Sequence, residues 1–158
     1  MNSGQDPLVK LPHLNLPSFE PNLQESNGRL LIFDSLRKKN LLLTPEEWVR
    51  QHWIHYLIRH LDYPAGLVSI EKGMKYNQLQ KRTDLVVFDR EGKAYLLIEC
   101  KAPEISLNEN VLRQAMTYHQ KIQCPHLILS NGLKHLVFSW VETEQKLVQS
   151  TDLPQKPK

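Results

Sequence analysis

The chain has little of what would place it in several common classes. It carries two cysteines, Cys100 and Cys124, in 158 residues. That is too few for a disulfide framework, and neither sits in a CxxC or mixed Cys/His cluster of the kind that binds zinc. The seven histidines form no HxxxH or HxH grouping, which argues against a histidine metal site. No apolar run approaches the roughly 20 residues that span a bilayer, and the N-terminus, MNSGQDPLVK, has no signal-peptide core. The expectation is a reduced, cytoplasmic chain with no membrane partner. Twenty bases are mixed with 17 acids for a net charge of +3, so bulk charge permits an anionic partner without requiring one. There is no internal repeat or low-complexity tract. The length suits one domain with a single core.

Residues 1–27 hold Pro7, Pro12, Pro17 and Pro21 among scattered leucines, with neither a helical nor a strand period. They read as an extended arm whose Leu8, Leu11, Leu14 and Leu16 can dock on the body or on a second subunit. Residues 28–150 read as one domain and 151–158 as a frayed tail. Arg29–Asp34 is a short apolar run fit for a strand, and Arg37–Lys39 is a basic turn. At Thr44 the start signals of a helix converge: a threonine cap, Pro45 at the first position, then Glu46 and Glu47 at the positive end of the dipole. Val49, Trp53, Tyr56, Leu57 and Leu61 recur at helical spacing until the YPAG after Asp62 stops the helix.

A strand is expected at 67–72 and a hairpin from Thr83 to Lys101, turning at Gly92. A second helix follows over 109–122, capped by Ser106 or Asn108. HLILS and KHLVFSWVE flank Asn131-Gly132, a pair that favours a tight primed turn, and a short strand is possible near Lys146–Gln149. The order helix, three strands, helix, two or three strands predicts an α/β fold, a mixed sheet flanked by helices. In the central hairpin Val86, Phe88 and Leu97 share one face, and Leu85, Val87, Leu96 and Ile98 fill the other, so the sheet should be buried on both sides.

Pairing Asp89 with Ala94 across the turn sets Asp84 opposite Glu99. Lys101, two residues on, points to the same face. Opposed carboxylates repel at about 5 Å between Cβ atoms, and a divalent metal would relieve them. The bland alternative is that Glu99 and Lys101 form an ordinary charge pair at a sheet edge. Cys100 should point to the opposite face as a buried structural thiol.

Asp84 followed by Glu99-Cys100-Lys101 resembles the motif of the PD-(D/E)XK nuclease superfamily. The ordered blocks PEEWVRQ at 45–51, RTDLVVFD at 82–89, LLIECKAP at 96–103, QAMTY at 114–118 and LSNG at 129–132 resemble the N-terminal nuclease domain of type I restriction enzyme R subunits and related stand-alone proteins. The resemblance covers about 29–140. It implies a restriction-endonuclease-like fold and metal-dependent hydrolysis of DNA, with a role in restriction or in DNA repair and processing. The chain has no room for the helicase motor that accompanies this domain in the restriction subunits, so translocation is not expected. Asp84, Glu99 and the backbone carbonyl of Cys100 would hold Mg²⁺ or Mn²⁺, with Lys101 orienting the attacking water.

Two roles fit Glu47: the reciprocal partner of Thr44 in a T-x-x-E capping box, or an acid beside the metal. Glu46 would take the second role if it were the inward residue. Glu71 is a weaker ligand candidate. Gln114 and Tyr118, spaced i, i+4 on one helix face, match the QxxxY element of RecB-like nucleases, where it lines the active site; a half-buried tyrosine beside a polar neighbour is the alternative. Lys81, Arg82, Arg113 and Arg50 are candidates to meet phosphates or are solvated surface. DNA is the implied partner, with a homodimer or larger complex plausible. A competing reading is a non-catalytic nucleic-acid-binding or assembly module that retains the fold.

Overall fold

The computed structural model describes residues 11–72 and 83–158, with the side chains of Glu71, Lys72, Thr83 and Asp84 outside that description. A three-stranded antiparallel sheet comes first: β1 (Leu23–Ser26), β2 (Arg29–Asp34) and β3 (Lys39–Leu42). Ser26 pairs with Arg29, so Asn27-Gly28 is a two-residue turn, and both residues take the positive φ that a primed turn requires. β1 falls inside the stretch read as an extended arm. Four residues, LQES, carry too little alternation to announce a strand; the Asn-Gly that follows them was the available signal.

Helix α1 (Pro45–His55) begins as expected, with Thr44 Oγ1 accepting from the Glu47 amide at 3.0 Å. It passes into a wider π-type turn over Tyr56–His60, closed by Leu61 N donating to Tyr56 O. Then come β4 (Val68–Lys72), β5 (Thr83–Phe88), β6 (Ala94–Cys100), α2 (Glu109–Ile122), β7 (His126–Ser130), β8 (His135–Val141) and β9 (Lys146–Ser150). Asn108 caps α2 through its side chain. These six strands form a second sheet in the order β4-β5-β6-β7-β8-β9. Only β6 and β7 run parallel, as they must when a helix, α2, carries the chain from one to the other. Among the described residues no helix is long and apolar enough to cross a membrane.

The sheet is buried on both faces. Leu85, Val87, Leu96, Ile98 and Cys100 pack with Trp48, Val49 and Trp53 of α1, whereas Val86, Leu97, Leu127 and Leu129 pack with Ala115 of α2. The hairpin between β5 and β6 reaches this arrangement by a different turn from the one expected. Phe88, not Asp89, pairs with Ala94, and Asp89 closes the turn on Lys93. Taken alone, that shift would turn one strand's side chains to the wrong face. A bulge at Tyr95 removes it, and from Val87–Leu96 onward the strands are in the expected register. Tyr95 and Leu96 consequently both lie on the α1 side.

α1 is buried on all sides, because the six-stranded sheet covers one flank and the N-terminal residues cover the other. Leu14 is buried, and Leu11, Leu16, Phe19, Leu23 and Leu41 pack around the same core. Trp48 Nε1 donates to Pro12 O at 3.0 Å, and Phe19 stacks on His55. At the other end of the chain the tail, read as frayed, lies along the body: the Tyr63 hydroxyl donates to Pro154 O at 2.6 Å, and Lys156 pairs with Asp62 at 2.9 Å.

The turn between β7 and β8 also departs from expectation. Ser130 pairs with His135, and Asn131 N donates to Lys134 O, so the reversal is centred on Gly132-Leu133, one residue later than Asn131-Gly132. Gly132 adopts φ +85°, and a Cβ there would lie 2.9 Å from Leu14 Cδ2 and 3.1 Å from Val49 Cγ2. Gly132→Ala should therefore lower stability by about 1–2 kcal/mol from backbone strain alone, with more from the displaced Leu14, read as a lower denaturant midpoint. Burial also lowers the pKa of His52, His55 and His135 from the usual 6.5. The unfolded chain then binds protons first as the pH falls. The stability these residues contribute is complete above about pH 6.5 and is lost below it, which a series of melting temperatures from pH 8 to pH 5 checks.

Candidate active site

β6 ends in the two charged residues singled out from the sequence. Glu99 is fully buried, and its Oε1 lies 3.4 Å from the Lys101 ammonium, whose side chain is 12% exposed. Lys101 follows directly on the strand, and its amide donates to Ser130 O on β7 at 2.8 Å. β7 thus holds the backbone at this point. Cys100, between the two charges, turns to the α1 side and is buried. The other cysteine, Cys124, has its thiol pushed up to about 11 by burial, so it is not a nucleophile at neutral pH.

The register places further acids in the same row. β4 pairs Glu71 with Asp84. The β5–β6 register of Leu85 with Ile98, carried one residue further, sets Asp84 at the position opposite Glu99. Glu71, Asp84 and Glu99 therefore occupy one cross-strand row of three adjacent strands. Their row ends in Leu129 on β7. Among the described residues no three His, Cys, Asp or Glu side chains gather as a metal site; the side chains of Asp84 and Glu71 lie outside that description, as do Lys81 and Arg82 altogether.

α2 covers the face that carries Leu97 and, two residues on, Glu99. Tyr118 is half-buried and packs with the Val86–Leu97 cluster. Gln114 and Arg113 are exposed one turn earlier. The i, i+4 pair thus stands on the helix that walls the Glu99 side.

Glu47 is placed elsewhere. It is the inward acid, buried, whereas Glu46 is partly exposed, but α1 lies on the Cys100 face of the sheet. Its amide uses the Thr44 cap, yet its carboxylate does not complete the capping box. It accepts instead from Arg50 Nη1 and from Gln51 Nε2 at 3.0 Å, and pairs with Arg37 at 3.6 Å. Arg50, a candidate phosphate contact by sequence, is buried against Glu47 and Glu46. No sequence signal singles out Asp34. It is fully buried; Oδ1 accepts from the amides of Leu36 and Arg37, and Oδ2 accepts from Arg37 and Gln51. A cleft of about 480 Å³ opens here, with Arg37, Glu46, Glu47 and Arg50 on one side and Ala102 and Glu104 on the other. Ala102 directly follows Lys101, so this acidic cleft and the Glu99–Lys101 pair meet at the end of β6 from opposite faces.

The two arginines differ in their energetics. Arg50→Met leaves Glu47 buried with less compensation and should cost about 3–5 kcal/mol in chemical denaturation. Arg113→Ala, on the exposed side of α2, should stay within about 0.5 kcal/mol of wild type.

Comparison with curated proteins finds no significant match. The family model described as "Type I restriction enzyme R protein N terminus (HSDR_N)" matches residues 45–154, from the first residue of α1 to just beyond β9. That span holds α1, the whole six-stranded sheet, α2 and the Glu99–Lys101 pair, and leaves out β1–β3. The chain belongs to the family of type I restriction enzyme R protein N termini.

Proposed function

We propose that the chain is a metal-dependent deoxyribonuclease, hydrolysing phosphodiester bonds at the end of β6. The observation that carries this reading is the cross-strand row of Glu71, Asp84 and Glu99 on adjacent strands, with the Lys101 ammonium 3.4 Å from Glu99. Like charges opposed on neighbouring strands destabilise a sheet unless something neutralises them, and Lys101 alone is one positive charge. The donors are hard oxygens of the kind that suit Mg²⁺ or Mn²⁺ rather than zinc. Asp84, Glu99 and the Cys100 carbonyl would hold the ion, with Glu71 available in the same row. When bound, the ion polarises the phosphate and lowers the pKa of water.

The remaining work falls to the chain's own side chains. Lys101, held by Glu99 and by the hydrogen bond its amide donates to Ser130 O, orients the attacking water and stabilises charge developing on the phosphate oxygens. Gln114 and Tyr118 would wall the site from α2, and Arg113 on the same helix would meet phosphates beyond it; Arg82, a further candidate by sequence, lies outside the described residues. Arg50 is assigned no DNA contact in this reading, because it is buried and paired with Glu46 and Glu47.

Single-stranded, duplex and branched DNA with Mg²⁺ or Mn²⁺ provides the test. Lys101→Met should reduce cleavage about 10²- to 10³-fold, and Asp84→Asn should abolish the metal binding that calorimetry detects in the wild type. Absence of cleavage on every substrate, with equally negligible metal binding in wild type and Asp84→Asn, would replace this reading with a non-cleaving nucleic-acid-binding module.

A further inference from the structure

The LSNG block at 129–132 enters the chemistry above only through Ser130, yet its other residues also connect the site to neighbouring turns. Ser130 O accepts the Lys101 amide at 2.8 Å. Ser130 Oγ accepts from Gly132 N at 3.0 Å and lies 2.7 Å from His135 Nδ1. Because His135 Nε2 faces the Asn15 carbonyl at 2.9 Å, which only accepts, the imidazole proton is on Nε2 and the Ser130 hydroxyl donates to Nδ1. Asn131, 7% exposed, uses both ends of its amide. Oδ1 accepts from Leu133 N and Lys134 N, closing its own turn. Nδ2 reaches away from that turn and donates to Ile105 O at 2.8 Å.

Ile105 ends the short turn that leaves the active strand. Its amide donates to Ala102 O at 3.0 Å, and Pro103 stiffens the turn by fixing its own φ. Lys101 is therefore bracketed. Its amide is fixed by Ser130, and the four residues after it form a closed turn whose last carbonyl is pinned by Asn131. Without that bond the turn, whose Ile105 is 41% exposed, would lose its tie to the β7–β8 turn, and Lys101 would keep only its amide hydrogen bond to Ser130 O and its pairing with Glu99.

We propose that Asn131 is a positioning residue for Lys101, acting through the 102–105 turn. The inference rests on the reading of Lys101 as the water-orienting group. The displacement of a catalytic group by about 1 Å can cost about 10²-fold in rate, so one side-chain hydrogen bond behind the lysine is enough to matter. Gly132 completes the arrangement: its carbonyl accepts Asn15 N at 2.8 Å, and its bare Cα admits Leu14 and Val49.

The informative variant is Asn131→Asp, which keeps the acceptor for Leu133 N and Lys134 N, and so the turn, while replacing the donor to Ile105 O with a repelling oxygen. Full-length wild type and variant are compared by hydrogen exchange and by Mg²⁺-dependent DNA cleavage. The expected result is exchange at least tenfold faster at Lys101 and over residues 102–105, with little change at Leu133 and Lys134, and a kcat about 10²-fold lower at a KM within threefold of wild type. Unchanged exchange over 101–105 overturns the proposal, as does faster exchange there with kcat preserved. Asn131→Ala, which also loses the turn acceptors, should accelerate exchange at 133–134 as well, separating loss of the turn from loss of the tie. Should wild type cleave no DNA, the nuclease reading fails, and exchange at 101–105 alone then decides whether Asn131 holds Lys101.

Discussion

The register between β5 and β6 is the constraint on which the rest of the structure depends. Side chains alternate between faces with a period of two, so one displaced residue would exchange the two cores and move the charges into the α1 side. The turn at Asp89–Lys93 introduces such a displacement, and the bulge at Tyr95 removes it. Tyr95 is further fixed by the edge of His126 and by its hydroxyl bond to the Gln155 carbonyl, so the C-terminal tail helps hold the correction in place. Once the register is set, the Cys100 face receives α1 and the Leu97 face receives α2.

Burial of α1 between the large sheet and the N-terminal residues explains the second cluster of charges. A helix with one solvated face would send Glu47, Arg50 and Gln51 to water. Here these positions are buried beside the end of β2 and the turn after it, and buried charges must find partners. Asp34 and Arg37 supply them. β1–β3 lie outside the span that defines the family, yet they satisfy polar groups at the start of a helix that lies inside it. The two parts therefore form one packed body.

The two Asn-Gly pairs show how tertiary context decides between locally equal signals. Asn27-Gly28 makes the two-residue turn that the dipeptide favours, at an exposed position where nothing competes. At Asn131-Gly132 the asparagine side chain bonds to Ile105 and to two amides of its own turn, and the reversal moves one residue along. A bond formed 26 residues away in sequence outweighs a local preference worth less than a buried hydrogen bond.

The helices, the strands of the central hairpin with their two apolar faces, and the adjacency of Glu99 and Lys101 were legible from the residues alone, because these follow from local caps, periodicity and the pleat. The nuclease-like blocks were legible for the same reason, each being a short stretch with its own spacing. Which charges are buried depended on packing between distant segments. Glu47 and Arg50 read as site candidates, Asp34 as an ordinary strand end, and Arg37 as a turn residue; packing joined them into one cluster on the far face of the sheet. The bulge at Tyr95, too, was a matter of packing, since a bulge leaves no mark on composition and is selected by the two cores that its strands must fill.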